Sequence, residues 1–229
     1  MNIIKKKAIE IIERQFAKIG KVLEVRAWNP STFYEIDLQL PGVDMSKWQS
    51  VQHMKIKVAE HTFRDYTPAG WDAATETCTL YVDAAHDGAG SHWAASLRPG
   101  DEVRYVGIST TFTKPLSKAA LFCLGDSSAI GHFLALEQLA GKGNISGALL
   151  INDPAHRTFF NHDFHSSLQA IPQEQYDPIH TLYDWLVEQQ LDDSAVYLAG
   201  NVPMVVELRK KIKSMSAFKG LVKLQGFWW

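Results

Sequence analysis

Between residues 63 and 67 the chain runs Phe63-Arg64-Asp65-Tyr66-Thr67, followed by Pro68, so that a cation, an acid, an aromatic ring and a hydroxyl succeed one another. In an extended strand side chains alternate between faces, which puts Arg64 and Tyr66 on one side and Asp65 and Thr67 on the other. A guanidinium beside a phenol suits a flavin nucleotide. Arg64 would neutralise a phosphate, Tyr66 would lie against the isoalloxazine, and backbone groups would meet the ring's polar edge. An ordinary surface strand carries the same alternation, so the pattern takes its meaning from its surroundings.

Those surroundings are a chain of 229 residues, 46% hydrophobic and 21% charged, long enough for one large core or two modest ones. A formal net charge of −2 argues against non-specific nucleic-acid binding, which needs an excess of Lys and Arg facing phosphates. Cys78 and Cys123 lie in apolar, strand-like settings and match no metal spacing, which predicts two reduced, buried thiols. Lys5-Lys6-Lys7 is followed by Glu10 and Glu13 rather than by an unbroken apolar run. The expectation is therefore no export signal, no membrane insertion and a reducing cytoplasm.

Ile3, Ile4, Ala8, Ile11, Ile12, Phe16 and Ile19 recur at helical spacing and Gly20 closes the pattern, predicting an amphipathic helix over residues 1–20. Docking on the body of the protein is favoured for it over a membrane-surface or partner-binding role. Over residues 21–114 short runs rich in Val, Ile, Thr, Tyr and Phe are cut by Asn29-Pro30, Pro41-Gly42, Pro68-Ala69-Gly70 and Pro99-Gly100-Asp101. Such punctuation predicts a small antiparallel barrel, with Ser91 to Leu97 as a short inserted helix. After Thr113-Lys114-Pro115-Leu116, strands at 119–124, 147–151, 195–199 and 220–224 alternate with helices at 129–139, 178–190 and 203–215. Residues 115–229 thus read as an α/β domain with a parallel sheet covered by helices on both faces. The whole is a β-barrel followed by an α/β domain.

On these landmarks the chain resembles the siderophore-interacting proteins, FAD-binding members of the ferredoxin-NADP reductase superfamily, over roughly residues 20–229. The family's Arg-x-Tyr-Thr flavin motif matches Arg64, Tyr66 and Thr67. Its strand ending in His, followed by Gly-Pro-Ala-Ser-x-Trp-Ala, is similar to Tyr81-Val82-Asp83-Ala84-Ala85-His86 and then Gly88-Ala89-Gly90-Ser91-His92-Trp93-Ala94, with a shortened gap after His86. Its Gly-Asp-Glu-Thr-Ala appears as Gly125-Asp126-Ser127-Ser128-Ala129. Ala199-Gly200-Asn201 resembles an Ala-Gly-Glu turn, and Gly226-Phe227-Trp228 resembles a terminal Gly-Tyr-Trp.

The resemblance implies an FAD-binding barrel and an NAD(P)-binding-like second domain. Small residues at a helix start let a diphosphate reach free N–H groups and the positive end of the helix dipole, which makes Gly88, Gly90 and Ser91 the candidate cradle. The competing account of this segment is a loop with a Ser N-cap. His86 either contacts the cofactor or satisfies a strand end, and Trp93 is a packing residue. Asp126 and Ser128 lie at the first turn of the α/β unit, where ligands bind, yet Asp126 and Ser127 serve equally well as helix caps. Trp229 either shields the flavin or packs the last strand.

The implied activity is reduction of ferric iron held by a siderophore. Electrons would come from NAD(P)H or a ferredoxin, with the flavin rather than any side chain carrying the chemistry. A general NAD(P)H-dependent flavin or ferredoxin-type reductase and a non-catalytic binding module are the alternatives. An anionic ferric chelate calls for a basic pocket, and Lys210, Lys211, Lys213, Lys219 and Lys223 concentrate positive charge late in the chain, most of them as solvated helix or strand-edge residues among which the sequence does not select. No Gly-x-Gly-x-x-Gly follows a strand, so a dinucleotide fingerprint is missing. Asn161-His162-Asp163-Phe164-His165, near His156, reads as a polar surface loop rather than a metal site.

Overall fold

The computed structural model describes residues 15–111, 113–116, 119–173, 177–216 and 218–228, with Trp228 described by its backbone alone. Two compact units divide the chain, Met1–Phe112 and Thr113–Trp229. Most of the leading helix expected over residues 1–20 lies outside the described residues. Its last part is corrected, because Lys18, Ile19 and Gly20 open strand β1 (Lys18–Ala27). Gly20 is fixed there by close packing, since a methyl group on it would stand 2.7 Å from the Leu40 side chain and 3.0 Å from the Gln39 carbonyl.

Unit 1 continues with β2 (Phe33–Gln39), β3 (Gln52–Ala59), β4 (Thr62–Tyr66), β5 (Pro68–Asp72), β6 (Thr77–Asp83), helix α1 (Ala89–Ser96) and β7 (Glu102–Thr110). The strands form one seven-stranded antiparallel sheet in the order β4-β3-β7-β1-β2-β6-β5. Its two edge strands, β4 and β5, are joined through the single residue Thr67. Edges that share a covalent junction must curve towards each other, which gives the barrel. Alternate residues point inward, and Val22, Ile36, Leu38, Met54, Ile56 and Leu80 are fully buried in its core. Cys78 is buried in the same core, and burial pushes its thiol up to about 12.

Unit 2 comprises β8 (Ala120–Asp126), α2 (Ile130–Ala140), β9 (Ile145–Leu150), α3 (Pro154–Asp163), β10 (Leu168–Ile171), α4 (Pro178–Val187), β11 (Ser194–Asn201), α5 (Val202–Lys213) and β12 (Leu221–Trp228). Its five strands are parallel in the order β10-β9-β8-β11-β12. One face packs Phe122, Leu124, Val196 and Leu198 against Leu182 and Leu186 of α4 and Leu208 and Ile212 of α5. The strands alternate, so the other face falls to α2 and α3, as right-handed crossovers require. Cys123 is fully buried and its thiol is pushed well above the ordinary range by desolvation.

The loop expected around residues 156–165 is instead helix α3 followed by strand β10. Asp153 caps it by accepting from the N–H groups of Ala155 and His156, and Pro154 occupies the first turn, where its missing N–H costs nothing. His156 and Phe160, four residues apart, are its buried stripe. The polar residues His162 and Asp163 lie on its exposed last turn.

Candidate functional site

Strand β4 pairs with β3 so that Met54 stands opposite Tyr66 and Ile56 opposite Arg64. Met54 and Ile56 are fully buried, so the face of β4 carrying Arg64 and Tyr66 continues the barrel's interior face to the sheet edge. Asp65, on the other face, forms an ion pair with Lys55 at 2.9 Å. Sequence alternation and the observed faces therefore coincide for these residues.

Helix α1 meets this edge. The Tyr66 ring stacks on Trp93 with centroids 5.3 Å apart and an interplanar angle of 27°. Trp93 is thus the packing partner that orients the phenol. Gly90 sits beside both side chains: a methyl group on it would lie 2.5 Å from Tyr66 Oη and 3.7 Å from Arg64 Cγ. Burial pushes the Tyr66 phenol up to about 12, against a smaller downward pull from the Arg64 charge, so the ring is neutral at physiological pH. Arg64 is exposed and donates to the Phe63 carbonyl at 2.9 Å. Thr67 is the hinge between β4 and β5.

The start of α1 differs from those of α3, α4 and α5. Asp153, Asp177 and Asn201 cap α3, α4 and α5 through their side chains. Gly88, the N-cap of α1, offers no side-chain cap. Ser91 lies inside the first turn, not at the cap, and its Oγ is buried with no hydrogen-bond partner among the described residues. His86 is exposed, and a methyl group on Gly88 would meet its ring at 3.4 Å. A helix start with uncapped N–H groups, a buried hydroxyl lacking a partner and two glycines has the donors and the space that a diphosphate needs. These residues fit the phosphate portion of FAD, with Arg64 as the nearby countercharge.

In unit 2, β9 and β10 lie on one side of β8 and β11 and β12 on the other, so the winding reverses between β8 and β11. Ligands of open α/β sheets bind beyond the carboxyl ends of the strands at such a reversal. Here Asp126 accepts from Ser128 N at 3.0 Å and from Asn201 N at 2.8 Å, and Ser128 Oγ also donates to it. Asp126 therefore caps the 3-10 turn before α2 and ties β8 to β11, while Ser128 is one of its donors. Gly200 makes the tie possible, because a methyl group there would stand 2.6 Å from Asp126 Oδ2.

One residue at this end had no sequence signal. His132, in the first turn of α2, is 2% exposed, with no hydrogen-bond partner at Nδ1 among the described residues, and its ring meets that of Phe227 edge-on at 5.4 Å. Burial holds its pKa down to about 3. Helical spacing alone does not distinguish a buried imidazole from a surface one. Trp229 lies outside the described residues.

The late lysines are not at the ligand end of the sheet. Helix α5 runs back from the carboxyl ends of the strands, so Lys210, Lys211 and Lys213 in its last turn lie at their amino ends, and Lys219 precedes β12. Lys210 pairs with Glu207 at 2.5 Å and Lys211 Nζ lies 4.3 Å from the Tyr183 ring centroid. Among the described residues no group of three His, Cys, Asp or Glu side chains could hold a metal ion, and no helix is long and apolar enough to cross a membrane.

No protein-family model and no curated protein matches the chain. Solved structures do share its fold. The siderophore-interacting protein of Acinetobacter baumannii aligns with a TM-score of 0.71 at 14% identity, over 93% of this chain and 89% of that one. A siderophore utilization protein from T. fusca aligns with a TM-score of 0.69 at 17% identity, over 93% and 92%. The ferredoxin reductase of carbazole 1,9a-dioxygenase, in its FAD apo form, aligns with a TM-score of 0.71 at 17% identity, over 93% and 67%. The chain thus has the fold shared by siderophore-interacting proteins and ferredoxin reductases.

Proposed function

We propose that this protein is a flavin-dependent reductase that holds FAD on its barrel and reduces Fe(III) carried by a siderophore, releasing the iron. The observation that carries the proposal is the convergence of Arg64, Tyr66, Gly90 and Ser91 at the uncapped start of α1. Arg64 neutralises phosphate charge, and Ser91 Oγ with the first-turn N–H groups donates to phosphate oxygens. Gly88 and Gly90 admit the diphosphate to the backbone. Tyr66, neutral and braced by Trp93, presents an apolar ring edge with one hydroxyl. Thr67 and His86 border the same site.

Bound FAD would accept two electrons from NAD(P)H or a ferredoxin-type protein and pass them singly to ferric iron, whose hold on hard oxygen ligands weakens on reduction. Asp126 and Ser128 serve unit 2 by fixing the switch-point turn. Two buried, unpaired thiols suit a reducing cytoplasm. Likeness to the carbazole dioxygenase reductase supports a second reading, a general NAD(P)H-dependent reductase acting on other acceptors.

The test is to purify the protein, record its flavin spectrum, and reduce it anaerobically with NADH, NADPH or ferredoxin before adding a ferric catecholate or hydroxamate. Bleaching by a donor followed by rapid reoxidation on the ferric chelate is expected. A colourless protein that does not take up FAD would sink the proposal, and reoxidation that is faster with a different acceptor would favour the general reductase.

A further inference from the structure

The parallel sheet of unit 2 has two edges, β10 and β12, and they differ in how they end the sheet. At β10 the side chain of Asn161 takes the place of a neighbouring strand: its Nδ2 donates to the Ala170 carbonyl at 2.9 Å and its Oδ1 accepts from Ala170 N at 2.8 Å. This edge is also short, four residues, with Leu168 and Ala170 buried. Its outward backbone groups at Ala170 are already used. Strand β12 has none of these protections. It runs eight residues, contains no proline, and pairs on its inner side with β11. Among the described residues no strand pairs with its outer side. Leu221, Leu224 and Phe227 along it are 47%, 40% and 39% exposed, and Lys223 is its single charged side chain.

The exposed apolar residues are spaced evenly about Leu224, and that symmetry points to an occupant. Two copies of one strand close on each other edge to edge only when antiparallel about a two-fold axis, which makes the contact isologous. Side chains that meet across such a pair share a face of the sheet, so the axis must pass through a residue position. With the axis at Leu224, Leu221 meets Phe227 of the second copy, Leu224 meets its own counterpart, and Lys223 meets Gln225. An axis at Lys223 would set lysine against lysine, and one at Gln225 would set Lys223 against Phe227. The regular ladder of β12 with β11 covers residues 221–226, before a one-residue slip at Phe227, so Leu224 and its neighbours are extended and in register. Helix α5 adds apolar surface beside the edge. A methyl group on Gly226 would stand 2.5 Å from Val202 Cγ2, and the half-buried Val206 follows one turn later on the same flank.

We propose that β12 pairs antiparallel with β12 of a second copy about a two-fold axis at Leu224, joining two five-stranded sheets into one of ten strands. Main-chain hydrogen bonds hold the pair, and the apolar contacts of Leu221, Leu224 and Phe227 fix its register. Because Asn161 blocks β10, the pairing stops at two copies instead of continuing into a fibre. An extended segment of a different protein would use the same backbone groups, but nothing would require it to match a pattern symmetric about Leu224. The pairing belongs to unit 2 and holds whether or not the barrel binds flavin.

The experiment is sedimentation velocity of the full chain from about 1 to about 100 μM, where a dimer in equilibrium with monomer is expected. Leu224→Arg sets two guanidinium groups against each other at an exposed position and should weaken the dimer by ~10-fold or more, with far-UV circular dichroism unchanged. Gln225→Glu, opposite Lys223 of the second copy, should tighten it by about 2-fold or more. Register is read by disulfide formation. Directly opposite residues stand roughly 4.5–5.5 Å apart at Cα, so Leu224→Cys should link two chains under mild oxidation while Gln225→Cys should not. Cys78 and Cys123 are buried and do not compete. A monomer over the whole concentration range overturns the proposal, and an edge that serves another protein would give that result. A dimer that Leu224→Arg leaves intact also overturns it, as does a Gln225→Cys link as efficient as that of Leu224→Cys. Should Leu224→Arg fail to fold, the two cysteine variants decide.

Discussion

Gly90 and Tyr66 are in contact only because residue 90 has no side chain: a methyl group there would stand 2.5 Å from Tyr66 Oη. Glycine inside a helix costs about 1 kcal/mol relative to alanine, so Gly90→Ala should gain intrinsic helix stability. The gain comes at the expense of the phenol, which must leave its place on Trp93. We expect the variant to fold with a melting temperature at or slightly below that of the wild type, the helix gain offsetting part of the lost stacking on Trp93, and to lose at least ~10-fold in FAD affinity, measured by flavin fluorescence titration. Unaltered affinity would mean that Tyr66 does not form the site.

Arg64 is exposed and its structural bond is to the neighbouring Phe63 carbonyl. Removing it leaves no buried group without a partner, so Arg64→Ala should not change stability measurably. A charge-assisted contact to phosphate is worth roughly 1.5–3 kcal/mol, so FAD affinity should fall about 10- to 100-fold, and the fall should shrink at high salt. Titrations of wild type and variant at two ionic strengths check both statements.

Ser91 gives a prediction in which stability and binding move in opposite directions. Its Oγ is buried without a partner among the described residues, so Ser91→Ala removes a desolvation penalty and should leave the flavin-free protein as stable as before or more so, by about 1 kcal/mol. The same change removes a phosphate donor and should weaken FAD binding. Urea unfolding of the flavin-free protein, set beside a flavin titration, separates the two effects. A purely structural serine would lose stability and leave binding alone.

His132 should make the protein acid-sensitive. Its folded-state pKa, about 3, lies below the ordinary value of 6.5, so the neutral form is favoured by folding. The associated stability is fully present above about pH 6.5 and is lost as pH falls towards 3. By pH 5 the loss at this one site amounts to about 2 kcal/mol. Replacing His132 by Leu, which keeps the bulk against Phe133 and Phe227, should flatten the stability curve between pH 8 and pH 5 as read by urea midpoints. An unchanged slope would assign the acid sensitivity to other groups.

The alternation at Arg64-Asp65-Tyr66-Thr67, the order of strands and helices, and the small residues at Gly88 and Gly90 were legible in the chain because each depends on local periodicity or on backbone freedom. Helix α3 was legible in principle, through Asp153-Pro154 and the four-residue interval from His156 to Phe160. The density of polar residues at 161–165 masked it, and those residues prove to be its exposed last turn and the segment that follows. The leading helical stripe was over-extended because Ile19 keeps helical spacing while lying on a strand, where hydrogen bonds to β7 decide the backbone.

By itself, then, the sequence determined a barrel followed by a parallel α/β domain and marked the face of β4 able to meet a flavin nucleotide, since these follow from side-chain period and turn chemistry. Only the tertiary structure decided that Gly90 lies under Tyr66, that Ser91 Oγ is buried without a partner among the described residues, that Asp126 is bound to Asn201 across the sheet, and that the late lysines sit at the sheet's amino end. Those relations join residues far apart in the chain. They are set by sheet order and by which atoms burial leaves without water, and no local pattern encodes either.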